Sequence, residues 1–430
     1  MRAFGGRKIP ILIISASAIV LSGAAALIIR GVASHKEFKD TLPIDSVLTS
    51  EQALEDFDYI YRTISENHVC FLDGSGLDKA FFEEYNAQRS ALAESAGVTI
   101  TDLWHSAAEM CHVLGDAHTL AAPSRDMYAE DLSVLREGTV VSVDGVPCGE
   151  LLEEFRSIFS YEPQVDFYAD HMFGQVIIRK NYLELLGIDT SDGADYEIQT
   201  GSETVTEHYN FVSAAEVRGN ESGGEELCGY IVDKENSIGI FTFNECVLND
   251  EYKNALKSFF GEVAENDISA VAVDLRDNGG GNSLVINEFF RYLDVDEYRV
   301  FGGTDVRSGS RLKSYSGEFE RNRRVKEPFD GKLYVLTSNF TFSSAMNFAA
   351  AVSDNNIGTV IGETPGNMPA HYGDMLTFQC PNSGLLIKVS YKKFHRIDSA
   401  KDEMPLIPDI EVEADKAIEA LYETAAKGEG

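Results

Sequence analysis

The sequence predicts an α/β C-terminal half, preceded by a helical segment and then a β-rich one. Three observations predict it. After about residue 225, apolar strand-like runs alternate with helical runs, which is the α/β pattern. Between Thr49 and Val113, apolar residues recur at spacings of three and four, as in Leu54, Phe57, Tyr61 and Ile64. Between these regions, short strand-like runs gather around turn residues.

In the helical segment, Thr49 and Gln52 fit a capping box at a helix start. A second helix is expected over Leu77–Ala93. A third is expected over Ile100–Leu114, begun by Thr101 or Asp102. Residues 138–147 (GTVVSVDGVP) read as a strand, a tight turn at Asp144-Gly145 and a return. A helix follows over 149–159, and 176–213 holds further strand-like runs, such as YEIQT and TEHYNFV. The polar, Gly-rich stretch Arg218–Glu226 marks a linker.

In the C-terminal half the expected strands are Ile238–Phe243, Ala270–Leu275, Leu333–Thr337, Thr359–Gly362, Met375–Cys380 and Leu385–Tyr391. The expected helices are Tyr252–Glu265, Ser283–Tyr292, Ser343–Ser353 and Ala414–Ala426. This divides the chain into 1–36, 37–130 (helical), 131–217 (β-rich) and 225–426 (α/β).

The first thirty residues stand apart. Arg2, Arg7 and Lys8 precede an uncharged run from Ile9 to Ile29. At about 1.5 Å per residue, roughly 21 helical residues reach about 31 Å, enough for a bilayer core. The charges ahead of it predict a cytoplasmic N-terminus. Residues 9–29 are therefore expected to anchor the chain in the cell membrane, single-pass, with the body extracellular. The alternative is a cleaved signal near Ser22, Gly23 and Ala24 and a secreted protein.

Composition narrows the partners. The 430 residues hold 36 basic and 70 acidic side chains, a net charge of −34. Such a surface repels phosphate backbones, so no nucleic-acid partner is expected. The six cysteines are scattered without a CxxC pair, so either disulfides or buried thiols are open. The nine histidines share no ligand spacing, so no metal and no cofactor is expected.

Three segments carry chemistry. Val271–Asn282 (VAVDLRDNGGGN) is an apolar strand running into a triple glycine. Glycine permits φ > 0 and close approach to peptide N–H groups, which suits an oxyanion hole. No GK[ST] follows, so it is not a phosphate loop. Tyr334–Asn347 (YVLTSNFTFSSAMN) is a strand, a polar turn and a helix starting near Ser343. A helix start favours a developing oxyanion, and the Ser344 N–H would face it. Leu114–Thr119 (LGDAHT) places His118 after a turn.

Together these segments resemble the tail-specific, or C-terminal processing, serine peptidases, including their tricorn-like branch. The family's DLRxNxGG strand-turn is matched by Asp274–Gly281. Its T-x-S-[AS]-A stretch is matched by Thr341-Phe342-Ser343-Ser344-Ala345. Its GE…T-x-G turn is matched, one residue short, by Gly362–Gly366, and its closing PDI by Pro408-Asp409-Ile410.

The resemblance implies a crotonase/ClpP-like core and a serine peptidase acting on protein or peptide substrates. It makes Ser343 the nucleophile, with Gly280, Gly281 and Ser344 supplying oxyanion N–H groups. It also implies that residues 131–217 stand where many relatives carry a PDZ-like module, although no GLGF-type loop is evident. One departure matters. Many relatives carry a base Lys after the T-x-G turn, whereas here Gly366-Asn367-Met368-Pro369 follows. The tricorn-like branch instead uses an upstream His, which His118 matches in kind. An imidazole titrating near about 6.5 can take a Ser proton at neutral pH. Asp398, Asp402 and Glu403 lie where that branch has its acidic partner, and Glu403 is the residue expected to orient the base. The alternatives are a non-catalytic binding module on the same fold, or other acyl chemistry on a crotonase-like core.

Overall fold

The computed structural model describes residues 38–130, 138–220 and 227–427. The apolar run 9–29 and residues 221–226 of the linker lie outside them. Among the described residues no helix is long and apolar enough to cross a membrane.

The elements that position the site run as follows. The first three helices are α1 (Ser50–Asn67), α2 (Leu77–Glu94) and α3 (Ile100–His112), followed by the short strand β1 (Leu120–Ala122). The middle of the chain gives β2 (Thr139–Val143), α4 (Cys148–Ile158), α5 (Phe167–Val176), β3 (Ala194–Thr200) and β4 (Glu203–Tyr209). Then come β5 (Cys228–Asp233), β6 (Ile238–Phe243), α6 (Asp250–Glu265) and β7 (Ala270–Asp274). The remainder gives β8 (Gly303–Ser308), β9 (Arg311–Ser316), β10 (Lys332–Thr337), α7 (Ser344–Asp354), β11 (Thr359–Gly362), β12 (Tyr372–Gln379), β13 (Leu386–His395), β14 (Ile410–Glu411) and α8 (Ala417–Lys427).

The capping box at Thr49 and Gln52 forms. The cap of α3 is Thr99, two residues before the earlier of the two expected, with Asp102 as its capping-box partner. Thr99 sits in extended backbone with its hydroxyl accepting the Asp102 N–H, and Thr101 lies inside the first turn. The expected turn has Asp144 and Gly145 at positive φ (48° and 75°), as a two-residue hairpin of right-handed twist requires. Lys180–Leu185, expected within a strand-rich run, is helical.

The central sheet has the order β5-β6-β7-β10-β11-β14. Only the β5–β6 pair is antiparallel. Its inner strands β6, β7 and β10 are apolar on both faces, as strands covered on both sides must be. Val271, Val273, Leu333 and Val335 face a core shared with α6 and α7. Ala270, Ala272, Tyr334 and Leu336 face a second core closed by Ala417 and Leu421 of α8. The result is a three-layer α/β unit, as the sequence predicts.

A second sheet runs β9-β8-β13-β12, and β1 adds to β13. A third holds residues 146–147, β2, β3 and β4. One continuous core joins α1–α3, the middle segment and Leu385, Ile387 and Val389 around β13. The β13 strand thus ties the N-terminal half to the α/β unit.

Asp56 of α1 fixes the β12–β13 turn. Fully buried, it accepts the backbone N–H groups of Asn382 (3.0 Å) and Ser383 (2.7 Å) and the Asn382 amide (3.0 Å). Removing a charged acceptor strands the buried Ser383 N–H, at about 2–4 kcal/mol. Asp56→Ala is expected to lower unfolding stability by that amount in urea titration, with peptidase activity falling as the hairpin loosens. An unchanged midpoint would show that the turn is held by other means.

Candidate active site

The β7 and β10 strands are parallel neighbours, so the loops after them emerge side by side. Several hydrogen bonds lock those loops together. Thr341 Oγ1 donates to Leu275 O (2.8 Å) and accepts from Ser338 N (2.9 Å). Phe342 N donates to Asn278 O (3.1 Å), and Ser338 Oγ donates to Arg276 O. Asn278, fully buried, donates through Nδ2 to Phe243 O (2.7 Å) and accepts Gly280 N (2.8 Å).

The other motif residues are fasteners too. Arg276 forks onto Asp274 (2.7 and 2.9 Å) and reaches Ala414 O (2.7 Å). Glu363 accepts Asn339 N (3.0 Å), and Asp409 accepts Val360 N (2.8 Å).

Ser343 sits at the entry to α7 with φ +53° and ψ −120°. A non-glycine residue there stores roughly 1–3 kcal/mol of strain. Its N–H is held by Asn367 Oδ1 at 2.6 Å, and its carbonyl accepts Asn347 N at 2.9 Å. Its side chain is partly exposed. Asn367 is fully buried and stands in the stretch where many relatives carry the base Lys. Sequence reasoning passed over it, because nothing local distinguishes an Asn that clamps a distant backbone.

Gly280 (φ +98°) lies against this elbow. A Cβ there would stand 2.7 Å from Ser343 Cβ and 3.0 Å from Ser344 N. The Gly280 N–H, expected to serve an oxyanion, is taken up by Asn278. The Gly281 N–H takes no part in the bridge to Cys246, which uses Gly280 O and Asn282 N. As the first residue of α7, Ser344 has an N–H with no partner within the helix. Its hydroxyl donates to Gly281 O (2.7 Å) and meets Ser283 Oγ (2.8 Å). With 3% exposure, Ser344 is a poor rival to Ser343 as nucleophile.

His118 arrives from the other half of the chain. It lies just before β1, which pairs with β13 from Leu120↔Lys388 to Ala122↔Leu386. The His118 ring lies 4.8 Å from Phe342 and 5.4 Å from His371, centroid to centroid. Neither ring nitrogen has a hydrogen-bond partner, and both are buried.

Asp116, fully buried, organises the turn. Its Oδ1 accepts the His118 backbone N–H (2.9 Å) and lies 3.6 Å from His118 Nδ1. Its Oδ2 accepts Thr119 Oγ1 (2.6 Å) and faces His68 Nε2 (2.9 Å). His68 Nδ1 accepts the Cys70 N–H (3.1 Å), so in the neutral ring Nε2 carries the proton and donates to Asp116. Burial alone would raise the Asp116 pKa. Its hydrogen bonds and charge interactions with His118 and His68 instead hold the carboxyl well below the usual range.

Glu162 completes this cluster. It is 5% exposed, and neither carboxylate oxygen has a partner. Burial, and then the Asp116 charge, push it well above the ordinary carboxyl range. One donor atom each from Asp116, His118 and Glu162 lie within 4.8 Å of one another. Sequence reasoning missed Glu162 because it stands in a loop between helices, 44 residues after His118, in no motif.

The expected orienting acid, Glu403, is exposed, and its carboxylate accepts Gln164 Nε2 at 3.4 Å. Asp402 is engaged by His395 Nδ1 (3.1 Å) and Arg396 N (2.9 Å). Asp398 caps a short turn at Ala400 N (3.1 Å). The carboxylates brought beside His118 are Asp116 and Glu162. All six cysteines are free and buried.

The middle segment covers the site. Tyr168 of α5 stacks on Phe342 at 4.8 Å, and a Cβ at Gly366 would collide with the Tyr168 ring at 2.4 Å. His371 donates through Nδ1 to Pro369 O (3.3 Å). Burial, then repulsion from His118, depress its pKa to about 3.

That depression has a stability consequence. Below about 6.5 the unfolded chain takes up a proton at His371 that the folded chain refuses, so stability falls as pH drops from about 6.5 toward 3. At about 1.4 kcal/mol per unit, this amounts to roughly 2–3 kcal/mol by pH 4.5. Urea titrations at pH 7 and 4.5 should show a smaller acid loss for His371→Phe than for the native protein. Equal losses would remove His371 from the acid response.

Residues 237–412 match the family model of peptidase family S41. Mature CPAF complexed with lactacystin aligns with a TM-score of 0.62 at 12% identity, covering 88% of this chain and 97% of that one. Mature CPAF alone gives the same score and identity, with 88% and 96% covered. A crystal structure of a Parabacteroides merdae protein gives 0.51 at 16% identity, with 87% and 96% covered. At such identities the likeness is one of fold. No curated protein matches the sequence. Residues 237–412 thus carry a segment of peptidase family S41, the tail-specific or C-terminal processing peptidases, and the protein is a serine-type peptidase.

Proposed function

We propose that this protein is an extracytoplasmic endopeptidase that cleaves protein or peptide substrates through an acyl-enzyme on Ser343, with His118 as general base. The observation that carries the reading is the meeting of two distant segments. A strained, partly exposed Ser343 lies at a helix start, and an imidazole with both ring nitrogens free packs on the adjacent Phe342.

In acylation, Ser343 Oγ bonds to the substrate carbonyl carbon while its proton passes to His118. The carbonyl oxygen takes up the negative charge and is met by the Ser344 and Gly281 N–H groups. The C–N bond then breaks, and His118 returns its proton to the leaving amine. Water repeats the sequence to release the acid and restore Ser343. Asp116 lies beside Nδ1, so Nε2 is the nitrogen left for the Ser343 proton. Asp116 thereby serves as the orienting carboxylate, in place of Glu403.

The run 9–29 behind Arg2, Arg7 and Lys8 supports a single-pass anchor with the body outside the cytoplasm. Residues 9–29 then supply the membrane contact. Protease shaving of intact cells should degrade the body. Recovery only from the cytoplasm would overturn this location, and recovery only from the medium would favour cleavage near Gly23.

A fluorophosphonate probe tests the chemistry. Mass spectrometry should find the adduct on Ser343 and none in Ser343→Ala, whose fold should survive at a cost of about 0.5–2 kcal/mol. His118→Ala should slow labelling and hydrolysis by about 10²–10⁴-fold. An adduct on Ser344, or near-normal turnover in His118→Ala, would reject the assignments.

A further inference from the structure

The cluster of Asp116, His118 and Glu162 contains more buried acceptors than the peptidase reaction uses. His118 has two unpartnered ring nitrogens and Glu162 two unpartnered carboxylate oxygens, each residue being 5% exposed. An unpaired buried polar atom costs of order 1–3 kcal/mol, more when charged. Four converge here beside a second buried carboxylate, that of Asp116, with one donor atom from each residue inside a 4.8 Å span.

We infer that Asp116, His118 and Glu162 form a binding site for a divalent transition-metal ion of the zinc class, which silences the peptidase by occupying its general base. The inference rests on the reading of His118 as that base.

The donor set is one imidazole and two carboxylates, which suits Zn²⁺. Such a site takes three protein ligands at about 2.0–2.2 Å and leaves a fourth position open. Ligand atoms in that geometry stand about 3.3–3.5 Å apart. Asp116 Oδ1 and His118 Nδ1, at 3.6 Å, already stand nearly so. Glu162 offers an oxygen within 4.8 Å of both, and neither of its carboxylate oxygens has a side-chain partner to hold it away. Asp116 is fixed for the task by His68 and Thr119, the kind of support that orients a ligating carboxylate. Mg²⁺ and Ca²⁺ are disfavoured, because they prefer more oxygen ligands and retained water. The histidine spacing predicts no metal site because the ligands come from two segments brought together by folding.

The test uses the full-length chain in detergent. Co²⁺ is titrated as an optical probe of tetrahedral ligand fields, and Zn²⁺ then displaces it. One Co²⁺ per chain is expected, with equal affinity in Ser343→Ala. Glu162→Gln and His118→Asn should each weaken binding by more than the roughly 10–100-fold that a supporting residue costs. Zn²⁺, but not Mg²⁺, should suppress fluorophosphonate labelling of Ser343, and a chelator should restore it.

Circular dichroism establishes that each variant is folded, and either variant alone decides the assignment if the other unfolds. Absence of Co²⁺ binding, or binding untouched in a folded Glu162→Gln or His118→Asn protein, would overturn the site and leave Glu162 as a carboxyl kept neutral by its surroundings. Metal binding without any Ser343 labelling in the metal-free protein would instead fault the reading of the nucleophile and spare the site.

Discussion

The close approach of Gly280 to Ser343 is the constraint on which the rest of the site depends. Two parallel strands of the central sheet end side by side, and the loops that leave them must pass within contact distance. A Cβ at position 280 would stand 2.7 Å from both Ser343 Cβ and Phe342 O, closer than atoms can pack. Glycine at this position, with φ +98°, lets Ser343 turn up out of the loop into its strained conformation. Asn367 then holds the elbow from the other side through the Ser343 N–H. The strain is tolerable because so many bonds over-determine it: Thr341, Ser338 and Asn278 each span the two loops.

His118 reaches this elbow by a different physical route. It belongs to the N-terminal half, and no bond along the nearby chain could deliver it. Three residues of β1 pair with β13, and β13 is itself anchored to α1 through Asp56. Asp116 then sets the turn just ahead of β1. Its two oxygens collect the His118 backbone, Thr119 and His68, so the approach of His118 is fixed by a buried carboxylate that is itself fully satisfied. That satisfaction explains how a charge survives in the interior, since burial opposes it and charge-assisted hydrogen bonds outweigh the opposition.

What was legible in the sequence was what is local. The β7 and β10 strands are continuous apolar runs because both faces are covered. The triple glycine and the Ser343 turn were readable because a positive φ and a helix start leave short signatures. Thr49 with Gln52 is legible as a cap, while the cap of α3 is ambiguous because Thr99, Thr101 and Asp102 offer several candidates within four residues. Asn367 and Glu162 were not readable. Each acts on a group far away in sequence, and an Asn in a turn or a Glu in a loop is ordinarily a solvated residue. Position along the chain points to Glu403, and position does not say which carboxylate the fold buries beside His118.

The His118 ring is held without the use of its nitrogens. An imidazole fixed by hydrogen bonds on both nitrogens would have no lone pair to offer. Here the ring is held by contact instead. A chain of rings runs from His371 to His118, Phe342, Tyr168 and Phe159, with centroids 5.4, 4.8, 4.8 and 6.0 Å apart. Rings at such separations interact favourably without a donor or acceptor. They also exclude water, which strengthens any charge interaction that develops during reaction. The stack spans four parts of the chain: the turn before β1, the Ser343 loop, the approach to β12, and the middle segment with Phe159 and Tyr168. A displacement of α5 therefore acts on Phe342 and His118 together. In this arrangement the middle segment is a wall of the candidate site, and the orientation of the His118 ring depends on how tightly that wall is packed.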